Sequence, residues 1–271
     1  MSQKVDANLP APAELDAELA TLDAAVQAKD HGAPLDQAYA SLDRVEDYLA
    51  AALDAAQGEA RALLVRRAEW YVGSTLVHNA HGVWAIREDS AGSPRPHVIR
   101  LPELGKYAFL PGIVVNTFTR TRGTRVLRDG TEVYDIPHRR EVTSALLAAE
   151  ARELAAFADD VQELTGKAEK LDPSIEKLDL VQAALTRLVV ENAPRDRARQ
   201  VYARAVLHVG AVFKAEIPSV TWELCTEPEN RAVGQLTLDG FAPVILLRKI
   251  APRTGPGLLK QMVTNEVDAR R

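Results

Sequence analysis

YVGSTLVHNAHGVW (71–84) sets a glycine among the apolar positions of a helix and closes on a second glycine and a tryptophan. HVGAVFKAEIPSVTW (208–222) does nearly the same far downstream. A glycine inside a helix costs about 1 kcal/mol relative to alanine, so its use at both places implies a shared packing need. Working outward, Arg67, Ala68, Val72 and Gly73 align with Arg204, Ala205, Val209 and Gly210. Upstream, LDRVEDYL (42–49) aligns with LDLVQAAL (178–185). Downstream, Trp84 meets Trp222, residues 99–101 meet 236–238, and FLPGIVVNTF (109–118) meets FAPVILLRKI (241–250). The gaps fall where turns are predicted, so the ordered matches read as an internal duplication. Two copies of such long units make a pseudo-two-fold pair rather than a solenoid.

In the first copy, Leu15, Leu19, Leu22 and Val26 recur at helical spacing and predict a helix over 12–29, stopped by HGAP (31–34). Leu35, Tyr39, Leu42, Val45, Leu49 and Leu53 predict a second over 35–56, and a third follows over 60–80. After Gly82 the period changes. Strands are expected over 83–87, 97–101 and 112–118, and a short helix over 126–134, broken at Asp129 and Gly130. The second copy repeats the plan, with helices over 144–165, 174–191 and 195–216. Strands over 221–225, 234–238 and 244–250 and a terminal helix from Gly257 complete it.

Short loops imply antiparallel pairing. The expected fold class is therefore α+β: about three helices on one face of a small, mainly antiparallel sheet, internally duplicated. Residues 1–11 form a flexible N-terminal tail, 12–137 the first copy and 138–271 the second, with IPHRREV (136–142) at the junction. Gly73 and Gly210 are expected where another backbone approaches closely. Trp84 and Trp222 are expected to cover the helix end and fill the layer between helix and sheet.

The chain has 271 residues, 46% of them apolar and 26% charged, which excludes wholesale disorder. A formal net charge of −5 argues against nucleic acid as the partner. Cys225 is the single cysteine, so an intrachain disulfide and a cysteine-rich zinc site are excluded, and its expected role is a small packed residue. The N-terminus carries no secretory pattern, and the apolar runs fall short of the roughly 20 residues that cross a bilayer. A cytoplasmic protein without a membrane partner is expected.

His78 and His81 in HNAH have a spacing that suits a metal, with Glu103 or His97 as a third ligand. They also sit just before Gly82, where cationic side chains favour a helix C-terminus, and the second copy has no histidines there. The preferred reading is a solvated helix end, with no metal and no cofactor. TRTRGTRVLR (119–128) gathers Arg120, Arg122, Arg125 and Arg128 around a glycine, and RKIAPRTGPGLLK (248–260) gathers Arg248, Lys249, Arg253 and Lys260 at the aligned place. These paired basic loops are the expected partner-binding residues, and their charge suits another protein with an acidic surface.

The chain lacks a nucleophile elbow, a His-Glu-x-x-His zinc motif, an EF-hand loop and a phosphate loop. His138, Glu227 and Glu229 offer acid/base groups without any sequence proximity. The expected function is a non-catalytic, immunity- or adaptor-like protein that binds through a composite surface of both copies. Two alternatives stay open: an enzyme acting on an anionic small molecule between the copies, and nucleic-acid binding through the basic loops.

Overall fold

The computed structural model describes residues 11–88, 94–101, 104, 106–110, 112–114, 127–191, 193–227, 230, 232–247 and 255–271. For 86–88, 94–100, 106, 107, 109 and 195 it describes the backbone alone. The expected tail lies outside these residues except for Ala11. The chain divides into two compact units, Met1–His138 and Arg139–Arg271.

The first unit opens with α1 (Pro12–Asp30), α2 (Ser41–Ala55) and α3 (Gly58–Ala80). Proline in the first turn starts α1, where its missing N–H costs nothing. The second helix begins six residues later than its apolar spacing predicts. Gln37 takes a positive φ of 60°, and the Asp36 carboxylate accepts the Ala38 N–H and the Ser41 hydroxyl, so the backbone there turns instead of coiling. At the end of α3 it is His81 (φ 52°), rather than Gly82, that turns left-handed, and the Gly82 N–H donates to the Leu76 carbonyl at 3.1 Å.

Strands β1 (Val83–Glu88), β2 (Pro94–Leu101) and β3 (Lys106–Phe109) form an antiparallel sheet in that order. α3 packs on α1, on α2 and on this sheet. Leu22, Leu42, Val45, Leu49, Val72, Leu76, Ala108 and Leu127 are buried in the unit. α4 (Leu127–Glu132) follows. It runs through Gly130 without the expected break, braced by the Thr131 hydroxyl on the Leu127 carbonyl at 2.5 Å and by the Arg128–Glu132 ion pair one turn apart.

α5 (Ile136–Ala148) carries the division between the units, which falls within residues 136–142. Its start is written in Asp135-Ile136-Pro137-His138: the Asp135 carboxylate accepts the His138 N–H at 3.0 Å, and Pro137 occupies the first turn. α6 (Glu150–Thr165) follows after Ala149 leaves helical geometry (φ −100°, ψ 7°), so the expected single helix over 144–165 is two. A 3₁₀ turn (Ile175–Lys177), α7 (Leu178–Val190) and α8 (Arg195–Glu216) complete the helical part of the second unit.

β4 (Trp222–Leu224) and β5 (Leu236–Leu238) pair antiparallel. After β5, Asp239 and Gly240 both take positive φ (48° and 79°), and Leu238 and Phe241 exchange two backbone hydrogen bonds across them. This is the Asp-Gly hairpin turn. α9 (Pro243–Leu247) and α10 (Leu258–Asp268) close the chain. The core of the unit packs Phe157, Val161, Leu185, Val209 and Phe213 with Leu238, Phe241 and Leu259.

Two strand expectations are corrected. Residues 243–247 form α9 rather than a strand, and 112–114 are helical as well, while 115–118 and 248–250 lie outside the described residues. A short apolar run has no period that separates strand from buried helix. In α9 a leading proline, preset for the first helical turn, decides the outcome.

Candidate functional site

The glycines and tryptophans single themselves out first. A Cβ built on Gly73 would overlap the indole of Trp84, with Cζ2 and Cζ3 each at 2.9 Å. One built on Gly210 would overlap the indole of Trp222 and meet Leu238 Cδ1 at 3.2 Å. The close approach is therefore made by a side chain of the strand following the glycine helix, not by another backbone. Each ring covers the helix at its glycine, well inside the helix, rather than at its end. The Trp222 Nε1–H donates to the Glu150 carboxylate at 3.2 Å, which gives the indole its polar partner.

Half-buried ion pairs and two buried side chains, Glu46 and Gln182, brace the helices of each unit. In the first, Arg67 on α3 donates to Glu18 on α1 at 2.5 Å, and the Glu46 carboxylate on α2 accepts the Leu127 N–H at 3.0 Å where α4 begins. In the second, Arg204 on α8 donates to Glu153 and Asp160 on α6 at 2.9 and 2.7 Å. Gln182 on α7 accepts the Leu259 N–H at 2.9 Å and donates to the Gly255 carbonyl at 2.7 Å. The Arg204 guanidinium, and after it Arg152, holds the Glu153 carboxyl below its usual range. These contacts tie elements of each unit to one another and so position them.

Of the expected partner-binding residues, Arg120, Arg122, Arg125, Arg248, Lys249 and Arg253 lie outside the described residues. Arg128 is on α4, half-buried, paired with Glu132 and 3.3 Å from Asp43 on α2. Lys260 is half-buried in the first turn of α10. Along the outer face of α7 the second unit has an open groove of about 590 Å³. Ala183, Val190 and Pro256 line it together with Asp179, Arg187 and Glu191, and Val190 is 65% exposed.

His138 lies in the first turn of α5. Its ring stands against that of Tyr39 at 5.1 Å, and Tyr39 donates to the Asp135 carboxylate at 2.7 Å. Burial first, and then this carboxylate, push the Tyr39 hydroxyl far above the usual phenol range, so it serves as a hydrogen-bond donor and not as a base. Glu229 lies outside the described residues. Cys225 is buried, and burial raises its thiol, which keeps it protonated and inert.

Asp135 thus ties the head of α5 to the turn before α2. Asp135→Ala removes a helix cap and strands a buried hydroxyl, and it is expected to cost about 1–3 kcal/mol in urea unfolding. An unchanged midpoint would deny the cap any weight.

Sequence reading missed His208. It sits on α8 at 3% exposure, its ring 5.5 Å from that of Phe157, and burial pulls it down to about 4 against a small opposing pull from Asp172. The only sequence signal was its alignment with the equally buried Tyr71. Among the described residues there is no group of three or more His, Cys, Asp or Glu side chains that could hold a metal, and no helix is long and apolar enough to cross a membrane. No protein-family model, no curated protein and no solved structure matches the chain.

Proposed function

We propose that the chain is an internally duplicated, non-catalytic protein-binding module, adaptor- or immunity-like, that engages an acidic protein surface through its basic loops. The observation that carries this reading is the recurrence of the same polar and aromatic contacts in both units. Arg67–Glu18 recurs as Arg204–Glu153 and Gly73–Trp84 as Gly210–Trp222. Glu46 on the Leu127 N–H recurs as Gln182 on the Leu259 N–H, and left-handed His31 closes α1 as Gly166 closes α6. Such recurrence supports descent of the two units from one, with shared positions kept for architecture. In the second unit Cys225 and His208 are both buried.

The reading is tested by native mass spectrometry of the tagged chain captured from its host. A variant carrying Arg120→Glu, Arg122→Glu and Arg125→Glu is run in parallel. Arg128 is left intact because its ion pairs join α4 to α2. A stoichiometric acidic protein that is present on the parent and lost from an equally stable variant is the expected result. A bare chain, or one carrying a small-molecule mass, overturns it.

A further inference from the structure

We propose that the second unit contains a built site for one internal water molecule, bridging His208 Nε2 and Asp172 Oδ1. Both atoms are buried, and neither has a hydrogen-bond partner among the described residues. Leu171, next to Asp172, packs on the core cluster that contains Phe157, the ring His208 stands against, and the Asp172 carboxylate acts electrostatically on the imidazole. His208 lies 97% out of solvent, against the ring of Phe157, so bulk water does not satisfy it. Buried polar groups in proteins are paired, and where side chains do not reach one another an internal water with two to four partners commonly does so. A neutral imidazole carrying its proton on Nε2 donates to the water, and the water donates to the carboxylate.

The first unit explains why the second needs it, an argument that rests on the duplication reading, whereas the site itself does not. The aligned residues there are Tyr71 and Asp36. The Tyr71 hydroxyl accepts the Gln37 N–H at 3.2 Å, and Asp36 accepts the Ala38 N–H at 3.0 Å and the Ser41 hydroxyl at 2.6 Å. In the second unit Pro173 stands for Gln37 and has no N–H, and Lys177 stands for Ser41. Histidine is also shorter than tyrosine by the hydroxyl. A water molecule replaces the missing hydroxyl in position and in hydrogen-bonding capacity.

The test is a crystal structure of the full chain, at a resolution that shows ordered solvent, together with one of His208→Tyr and the melting temperatures of both. The expected result is a solvent peak within hydrogen-bond distance of both His208 Nε2 and Asp172 Oδ1. In His208→Tyr the phenol oxygen takes its place, and the melting temperature is unchanged or higher. A missing peak, a peak touching one of the two atoms only, or direct imidazole–carboxylate contact overturns the proposal. A bridging peak in the parent combined with a lower melting temperature for His208→Tyr upholds the water site and refutes the correspondence of the two units.

Discussion

Gly210→Ala is expected to lower the melting temperature of the second unit, although the same change in an exposed helix raises stability. Alanine is intrinsically better than glycine in a helix by about 1 kcal/mol. At this position the added methyl falls inside the indole of Trp222 and crowds Leu238 Cδ1, in a layer that Leu238 and Phe241 close from the sheet side. Displacement of the ring would also strain the hydrogen bond from its Nε1–H to Glu150. Overpacking of this kind costs roughly 1–3 kcal/mol, occasionally more. Gly210→Val, with two further methyl groups, belongs at the upper end, and 2–3 kcal/mol corresponds to a drop of about 10 °C for a unit of this size.

The contact itself is isolated by a double-mutant cycle. In a Trp222→Leu background the space is already open, so Gly210→Ala becomes neutral or stabilising there while remaining costly in the parent. Calorimetry of the four chains gives the coupling. Equal effects of Gly210→Ala in both backgrounds would mean that the indole is not what the glycine accommodates. Gly73 and Trp84 are expected to behave alike in the first unit.

Acidification is expected to destabilise the second unit between pH 6.5 and pH 4 through His208. Its imidazole is held down to about 4 from 6.5, chiefly by burial. The unfolded chain therefore takes up a proton as the pH falls below 6.5, while the folded chain resists protonation until about pH 4. The stability attached to neutral His208 is present above pH 6.5, falls across that window and is lost below it. A shift of this size corresponds to about 3 kcal/mol at the end of the window. Urea unfolding followed at pH 7, 5.5 and 4 measures it against His208→Gln, which cannot titrate. Parallel pH dependence of the two chains would show that His208 is not the group responsible. Carboxylates held low by arginines, such as Glu153, lose their contribution only at more acid pH, so the two effects separate on the pH axis.

The helices were legible in the sequence because burial of one face imposes a 3.6-residue period, which survives wherever a helix is long enough to repeat it. α3 and α8 carry that period through a glycine. Antiparallel pairing was legible as well, since loops as short as those between the strands allow nothing else. The start of α5 was written in Asp135 and Pro137, a cap and a first-turn proline, at the edge of and within the junction segment 136–142. The Asp239-Gly240 turn was similarly present as a dipeptide.

What tertiary structure alone decided was which partner each residue meets. No local pattern distinguishes a glycine that admits a backbone from one that admits an indole. The short apolar run 243–247 is too short to display a period, so its apolar pattern alone did not separate helix from strand. Arg128 reads as one of four equivalent arginines in the sequence, and only the fold sets it against Asp43 and Glu132. His208 is polar in any sequence scale and buried in the structure against Phe157, across a separation in the chain that no periodicity spans. Periodicity and capping act over a few residues and are recorded in the order of the chain. Steric fit, burial and electrostatic partnership act through space, and they exist only once distant segments have packed.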